Sequence, residues 1–180
     1  MMIPESVPSS APACKPSISE AASDKGDTGG QVADRQTQKG ATDYCLDEQV
    51  GYLLRLANQR HLEIFNAELP TLTPTQLSVM ARLLEHDGIS QNELGRSVGI
   101  DAATTNGVID RLVRKNLVKT ETDINDKRRL RISLTETGHQ TIQESIPLAR
   151  RITQMTLQQL DSEEASQFIA LLRKLLPPPP

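Results

Sequence analysis

Cationic side chains are concentrated in one stretch of an otherwise acidic chain. Residues 93–134 contain nine Lys or Arg and six Asp or Glu, whereas the whole sequence contains 20 and 23. The densest run includes Lys127, Arg128, Arg129 and Arg131. Guanidinium groups suit phosphates and the narrow minor groove of DNA, where the negative potential is enhanced. The stretch therefore predicts a local basic surface for a polyanion, which net charge alone does not reveal.

A second set of polar residues lies on one side of a predicted helix that begins after Asp101. The apolar side of this helix is formed by Thr105, Val108, Ile109 and Leu112. The opposite side is expected to face DNA and carries Ala103, Thr104, Asn106, Gly107, Asp110 and Arg114. Asn pairs bidentately with adenine, and Thr donates a hydrogen bond or contacts the thymine methyl group. Arg114, Lys115 and Lys119 are predicted to contact phosphates, which position a protein without specifying sequence.

The elements that would position these side chains have clear start and stop signals. Thr73-Pro74-Thr75-Gln76 predicts a capping box and a helix that runs to about His86. Ser90-Gln91-Asn92-Glu93 predicts a second capping box, and Gly99 ends that short helix. The third helix is predicted to end at Asn116 in a left-handed cap. Helices in this order, separated by a tight turn, are typical of a helix-turn-helix.

After the third helix the apolar period changes from about four to two. Residues 117–122 predict one strand, and residues 123–127 predict a turn. The second strand alternates apolar and polar side chains, namely Leu130, Ile132 and Leu134 with Arg129, Arg131 and Ser133. The pattern predicts a hairpin with one apolar and one basic face. Residues 73–134 are therefore predicted to form a winged helix-turn-helix domain.

Amphipathic helices are predicted on both sides of this domain. The helix within residues 44–69 is apolar over more than one stripe, which predicts cover by a partner subunit. Residues 135–160 predict a long helix that Pro147 should kink. Asp161 caps the last helix, whose apolar stripe is Phe168, Leu171, Leu172 and Leu175. We expect a mainly α fold with a small β wing, in which helices from residues 44–69 and 135–176 mediate dimerisation.

Composition and the chain ends exclude several classes of protein. Residues 1–43, with nine Ser or Thr, four Pro and four Gly, predict a disordered tail, and residues 177–180 a proline tail. Cys14 and Cys45 provide neither a disulfide framework nor a zinc-binding spacing. No catalytic motif is recognisable, so we expect no enzyme, metal or cofactor. Without a secretory signal or about 20 consecutive apolar residues, we expect a cytoplasmic protein without membrane contact.

Several stretches resemble the MarR family of regulators, over about residues 46–176. They are Leu72-Thr73-Pro74-Thr75-Gln76, Glu93-Leu94-Gly95, Gly99-Ile100-Asp101, Asp110-Arg111-Leu112, and residues 123–134 followed by Thr135 and Gly138. The resemblance implies a homodimer, held by its first and last helices, on a palindromic operator in double-stranded DNA. It also implies repression that a small, often aromatic, acid relieves.

The same resemblance implies roles for individual wing residues. Asp126 matches the family's aspartate that anchors the wing by a salt bridge, and Arg128 matches its groove-inserting arginine. Lys127 stands where the family often has another arginine, which keeps the charge but loses the planar fork. Gly107 stands where a longer side chain commonly reaches DNA, so base specificity at this position does not follow from the resemblance.

A polar run, Asn58-Gln59-Arg60-His61, interrupts the first apolar helix. The family's ligand pocket lies where the first, second and fifth helices meet. We therefore hypothesise that Arg55, Arg60 or His61 anchors the carboxylate of an aromatic acid, beside Asn58, with Phe65 as a wall for the ring. The run is similar to repressors of nicotinate degradation, whose ligands are hydroxylated pyridine carboxylates such as 6-hydroxynicotinate. The simpler interpretation, in which these side chains face solvent or bridge the dimer, carries equal weight.

Other interpretations stay open. Residues 46–52 resemble a redox-sensing branch of the family, but Gly51 occupies the place of its reactive cysteine. Cys45 would then have to act as the sensor, and no basic residue within four positions would stabilise its thiolate. A non-specific architectural DNA-binding protein would usually be basic overall. A winged helix used only for protein contacts would have an apolar wing.

Overall fold

The computed structural model describes residues 44–122 and 130–176. The predicted N-terminal tail, the proline tail and residues 123–129 lie outside the described residues. By compactness the chain divides into two units, Met1–Leu54 and Arg55–Pro180. The elements in chain order are α1 (Val50–Glu68), α2 (Pro74–Glu85), β1 (Ile89–Ser90), α3 (Gln91–Val98), α4 (Ala102–Arg114), β2 (Val118–Thr122), β3 (Leu130–Leu134), α5 (Glu136–Thr156) and α6 (Ser162–Leu175).

Six helices and a small antiparallel sheet confirm the predicted fold class. Local capping chemistry sets most of the boundaries. Thr73 and Gln76 form the complete capping box of α2. Ser90 accepts from the Glu93 amide at the start of α3, and Gly99 ends that helix with φ 74°. Asn116 has φ 55°, the left-handed cap that the sequence predicts after α4.

The sheet contains one strand that the sequence does not predict. Its order is β1-β3-β2, with Ile89 opposite Ile132 and Val118 opposite Leu134. Two residues are too few to show an alternating pattern, so β1 is defined only by its pairing with a strand some 40 positions away. This third strand ties the loop between α2 and α3 to the hairpin.

The apolar face predicted for β3 is wrong at one position. Ile132 and Leu134 are buried, but Leu130 is 47% exposed. Leu130 pairs with Thr122 at the far end of the described hairpin, away from the end that packs on helices. Ser133, predicted on the basic face, is buried instead, in a strand that contacts α2, α3 and α5.

The core lies between α2, α4, α5 and the hairpin. Its fully buried side chains include Met80, Leu83, Leu94, Leu112 and Ile142. At the start of α5, Gly138 allows the helix to approach the backbone of Leu117, directly before β2. A Cβ atom there would lie 1.9 Å from the Leu117 carbonyl oxygen, so only glycine fits this contact.

The flanking helices differ from the predictions in their limits, and the last of them, α6, contains no buried residue. A short 3-10 helix, Leu46–Glu48, precedes α1, which begins only at Val50. The long helix α5 ends at Thr156, not near residue 160, and it continues through Pro147. No residue of α6 is buried, and Phe168, Leu171 and Leu175 are 39%, 49% and 69% exposed. Three of the four residues in the predicted stripe of α6 are therefore exposed among the described residues, and the fourth, Leu172, is half-buried.

Candidate nucleic-acid interface

Helix α4 is oriented by its buried side. Thr105, Val108, Ile109 and Leu112 are all buried, as the sequence predicts. The Thr105 hydroxyl donates to the Asp101 carbonyl oxygen at 2.8 Å, which satisfies its buried hydrogen-bonding group. The opposite side consequently faces solvent. It exposes Ala103, Thr104, Asn106, Asp110 and Arg114, with Gly107 half-buried among them.

The start of α4 is held by Asp101. Its carboxylate accepts from the Thr104 amide at 2.9 Å and from the Thr104 hydroxyl at 2.6 Å. These bonds stabilise the charged form, so the Thr104 hydroxyl and then its amide lower the pKa of Asp101. The Thr104 hydroxyl proton is thereby committed to the cap. What Thr104 still offers to a base is its methyl group and an acceptor oxygen.

Asn106 has a partner that the sequence does not reveal. Its Oδ1 accepts a hydrogen bond from Nε2 of Gln91, the first residue of α3. The contact fixes which end of the Asn106 amide is occupied and leaves its NH2 group as the donor toward solvent. Gln91 is thus a positioning residue for the α4 surface. In the sequence, only the position of Gln91 at the start of the preceding helix indicates this role.

Arg111 occupies the space beside Gly107. A Cβ atom at Gly107 would lie 3.7 Å from both Nη atoms of Arg111, so the guanidinium runs along the helix toward this glycine. In the sequence, Arg111 stands out only within the Asp110-Arg111-Leu112 stretch and is not among the predicted DNA contacts. Gly107 and Arg111 are four residues apart, which places them on the same side of a helix. This spacing would have indicated the contact between them.

The cations near the end of α4 are held differently. Lys115 Nζ donates to the Thr71 carbonyl oxygen at 2.7 Å, which draws it toward the loop before α2. Arg114 is exposed, and its Nε donates to the Asp110 carbonyl oxygen at 3.2 Å. Lys119 forms an exposed ion pair with Glu121 at 3.0 Å. Asp126, Lys127, Arg128 and Arg129 lie outside the described residues, so their predicted wing roles stay predictions.

Part of the predicted effector set is brought together on α1. His61 Nδ1 lies 3.0 Å from the Thr156 hydroxyl oxygen on α5, and the His61 and Phe65 rings are 6.2 Å apart. Since the Thr156 hydroxyl donates its single proton to the Ile152 carbonyl oxygen, Nδ1 of His61 must be the donor. In the neutral ring, Nε2 is then an acceptor. Phe65 is only 3% exposed, which makes it a core residue.

The other predicted effector residues do not join this pair. Arg55, Asn58 and Arg60 are exposed, and Arg60 lies about 100° around the helix from His61. A groove of about 310 Å³ lies instead between α2 and α5. Its walls are apolar, with Leu77, Ile142 and Ile146, and Arg150 is its only cation. None of the predicted effector residues lines this groove.

Other chemistry finds little support in the part of the chain that the structure describes. No group of three or more His, Cys, Asp or Glu residues there could hold a metal ion. Cys45 is a half-buried free thiol before the 3-10 helix. No described helix is long and apolar enough to cross a membrane.

Comparisons with known proteins agree with this geometry. A sequence model of the MarR family matches residues 72–130. The transcriptional repressor NicR of Pseudomonas putida is 37% identical over 137 residues, which are 75% of this chain and 87% of NicR.

Two solved structures extend the likeness to the fold. A probable transcriptional regulator from Pseudomonas aeruginosa has 38% identity and a TM-score of 0.72, over 73% of this chain and 100% of its own. BpsR from Bordetella bronchiseptica, whose DNA binding is regulated by 6-hydroxynicotinic acid, has 37% identity and a TM-score of 0.71, over 73% and 96%. The chain therefore belongs to the MarR family of transcriptional regulators, which bind DNA and are not enzymes.

Proposed function

We propose that this protein is a sequence-specific repressor that binds a palindromic operator as a homodimer and is released by a small aromatic carboxylic acid. The observation that carries the proposal is the solvent-facing side of α4, where Ala103, Thr104, Asn106 and Gly107 form a shallow polar surface on a helix fixed by its buried side. The major groove admits one α-helix, and its base edges are read by such side chains.

The wing supplies the second contact in this proposal. Lys127, Arg128 and Arg129 follow Asp126 in the chain between β2 and β3. An arginine at the tip of a hairpin suits a narrow minor groove. We expect Arg128→Ala to weaken specific binding by about 1–3 kcal/mol, measured by band-shift titration. An unchanged affinity for the operator would remove Arg128 from its assigned role.

Homodimer formation is supported by the uncovered apolar side of α6. Phe168, Leu171 and Leu175 lie on one side of the helix, and none of them is buried in the single chain. A second subunit would cover this surface and place two copies of α4 about 34–36 Å apart, one turn of DNA. Sedimentation equilibrium should therefore give a dimer.

The effector is proposed to be a hydroxylated pyridine carboxylate such as 6-hydroxynicotinate. Support comes from the regulation of BpsR by that acid and from the pairing of His61 with Phe65. In the neutral ring, Nε2 of His61 is an acceptor that suits a ligand hydroxyl group, and Arg55 and Arg60 are the cations on α1. The ligand acts only if it binds the two dimer geometries with different affinity.

Two experiments test the proposal in order. Selection of bound fragments from the source genome, followed by band shifts, should give a palindrome that binds about 10³-fold more tightly than random DNA or better. Equal affinity for both would indicate a non-specific architectural protein. Pyridine carboxylates are then titrated into the complex, and 6-hydroxynicotinate should release the operator. If no pyridine carboxylate releases the operator, the proposed effector is wrong, but the proposed repressor function is not affected.

A further inference from the structure

The described sheet changes from three strands to two at Arg131. Ser90 of β1 and Glu121 of β2 both lie opposite Arg131. The preceding residue of the described sheet, Leu130, pairs with β2 alone. Burial ends at the same place, since Ile132 is buried whereas Arg131 and Leu130 are exposed. Arg131 is therefore the residue of β3 at which the hairpin leaves the packed core and loses its third strand.

The Arg131 side chain points back toward this core. A Cβ atom built on Gly88 would lie 2.5 Å from Nη2 of Arg131, 2.9 Å from Nε and 3.0 Å from Cζ. In the antiparallel register Gly88 is level with Ser133, two positions nearer to α5 than Arg131. The guanidinium therefore covers the turn between α2 and β1, although the sequence places Arg131 in the basic run of the wing.

Gly88 meets two requirements of this contact. Its φ is 68°, in the left-handed region that glycine adopts without strain. Its missing side chain also leaves the space that the guanidinium fills, because a Cβ atom would overlap Nη2. Gly99 has nearly the same φ, 74°, but no heavy atom lies within 4 Å of its Cβ position. Comparison of the two glycines thus separates backbone strain from contact with Arg131.

The carboxylate that faces Arg131 across the sheet is engaged by another cation. Glu121 lies opposite Arg131, and its Oε1 accepts from Lys119 Nζ at 3.0 Å on the same strand. The guanidinium of Arg131 lies instead on the backbone of Gly88. An arginine in this position acts through the packing of its flat end group as well as through its charge, so lysine is not an equivalent substitute.

We propose that Arg131 is a positioning residue, which fixes the direction in which the wing leaves the sheet by holding β3 on the turn before β1. Two-stranded ribbons twist more than larger sheets and are marginally stable alone, so their direction depends on what holds their base. The inference rests on the proposed function, in which the wing meets a minor groove while α4 lies in the major groove. Arg131 then affects operator binding through the wing, without contacting DNA itself.

The position of the guanidinium is tested first without DNA, by hydrogen exchange on the full chain. R131Q and R131K should both speed exchange of the amides that pair β1 with β3, by several-fold, without a change in α4. Gly88→Ala should do the same, because its methyl group displaces the guanidinium, whereas Gly99→Ala should not. The two alanine variants should lower the melting temperature by similar amounts, since both strain a left-handed backbone. Unchanged β1 exchange in R131Q and Gly88→Ala would overturn the proposal.

Band shifts on the selected operator then test the action through the wing. R131K and R131Q should each weaken binding about fivefold or more. Neither should weaken R128A further, whereas their effects should multiply with that of N106A, because Asn106 lies on α4.

A direct phosphate contact gives a different result. R131K would then keep most of the affinity, and R131Q would weaken R128A as much as wild type, which would overturn the proposal. Loss of affinity in R128A without loss in R131K or R131Q would also overturn it, while leaving the proposed function intact. If no palindrome is bound, the proposed function fails, and the exchange experiment alone decides whether Arg131 holds the wing.

Discussion

The winged helix-turn-helix region and the last described helix, α6, differ in how much of their apolar surface the described residues bury. The winged lobe, residues 73–122 and 130–134, buries the apolar sides of α2 and α4 within its own subunit, including Met80, Leu83 and Leu112. Helix α6 is also well capped, by a box between Asp161 and Glu164, yet none of its residues is fully buried among the described residues. Equal capping with unequal burial shows that local signals start a helix, whereas packing decides whether one chain suffices to stabilise it.

The sharpest test of this contrast compares two leucines. Leu112 is fully buried in the winged lobe, so Leu112→Ala should lower the free energy of unfolding by about 2–5 kcal/mol. Denaturant unfolding followed by circular dichroism measures the loss. Leu171→Ala, on the exposed side of α6, should instead make the melting temperature more dependent on protein concentration. Equal losses that do not depend on concentration would show that α6 is stabilised within one subunit.

A second test uses two glycines. Gly138→Ala places a methyl group against the Leu117 carbonyl oxygen, and we expect a loss of about 1–3 kcal/mol or more. Gly51 of α1 has no heavy atom within 4 Å of its Cβ position, so Gly51→Ala is the matched control. That substitution should be neutral or stabilising by up to about 1 kcal/mol, because alanine favours the helix. A tolerated Gly138→Ala would mean that α5 does not approach the Leu117 backbone this closely.

A third test concerns the hydrogen bond between Gln91 and Asn106 on the exposed side of the winged lobe. Asn106→Ala should weaken operator binding by about 1–3 kcal/mol and relax the preference at one base position. Gln91→Ala should relax the same position to a smaller extent, because Gln91 acts through the Asn106 amide. Band shifts on operators substituted at each base distinguish this effect from a general loss. Relaxation at different positions, or at none for Gln91→Ala, would contradict the positioning role.

The smallest expected effect is on pH dependence. The Thr104 hydroxyl and amide lower the pKa of Asp101 in the folded state below its ordinary value of 3.8. The stabilisation is therefore complete above that ordinary value and is lost as the pH falls through the lowered pKa. Asp101→Asn keeps a capping oxygen but does not titrate, so its melting temperature should fall less than that of wild type between pH 7 and pH 3. If the melting temperatures of wild type and Asp101→Asn fall equally, the charged Asp101 cap does not cause the pH dependence.

Sequence reasoning predicts the parts of this structure that depend on neighbouring residues. The caps at Thr73 and Asp101 and the buried side of α4 follow from patterns within one helix. The strand β1, the exposure of Leu130 and the bond from Gln91 to Asn106 depend on partners 15 or more positions away, or on where the covering helices end. Periodicity carries no information about either.

The same limit applies to the effector hypothesis and to the surface clefts. The polar run on α1 identifies His61, which the fold places on Phe65 and Thr156, but it cannot show that Arg60 points elsewhere. A cleft lined by residues 66–76 and 111–115 likewise cannot be found in any single stretch of the sequence. Arg111 is visible in the sequence, and only the fold places it beside Gly107.

The central claim is that two winged lobes of one dimer read two half-sites of one operator. The most direct test is band-shift titration on the selected palindrome, on the same palindrome with five base pairs inserted at its centre, and on one half-site alone. Five base pairs place the half-sites on opposite sides of the duplex, since one turn contains about 10 base pairs. We expect the insertion to reduce the affinity to that of the half-site. Equal affinity for the intact and the lengthened palindrome would contradict the account.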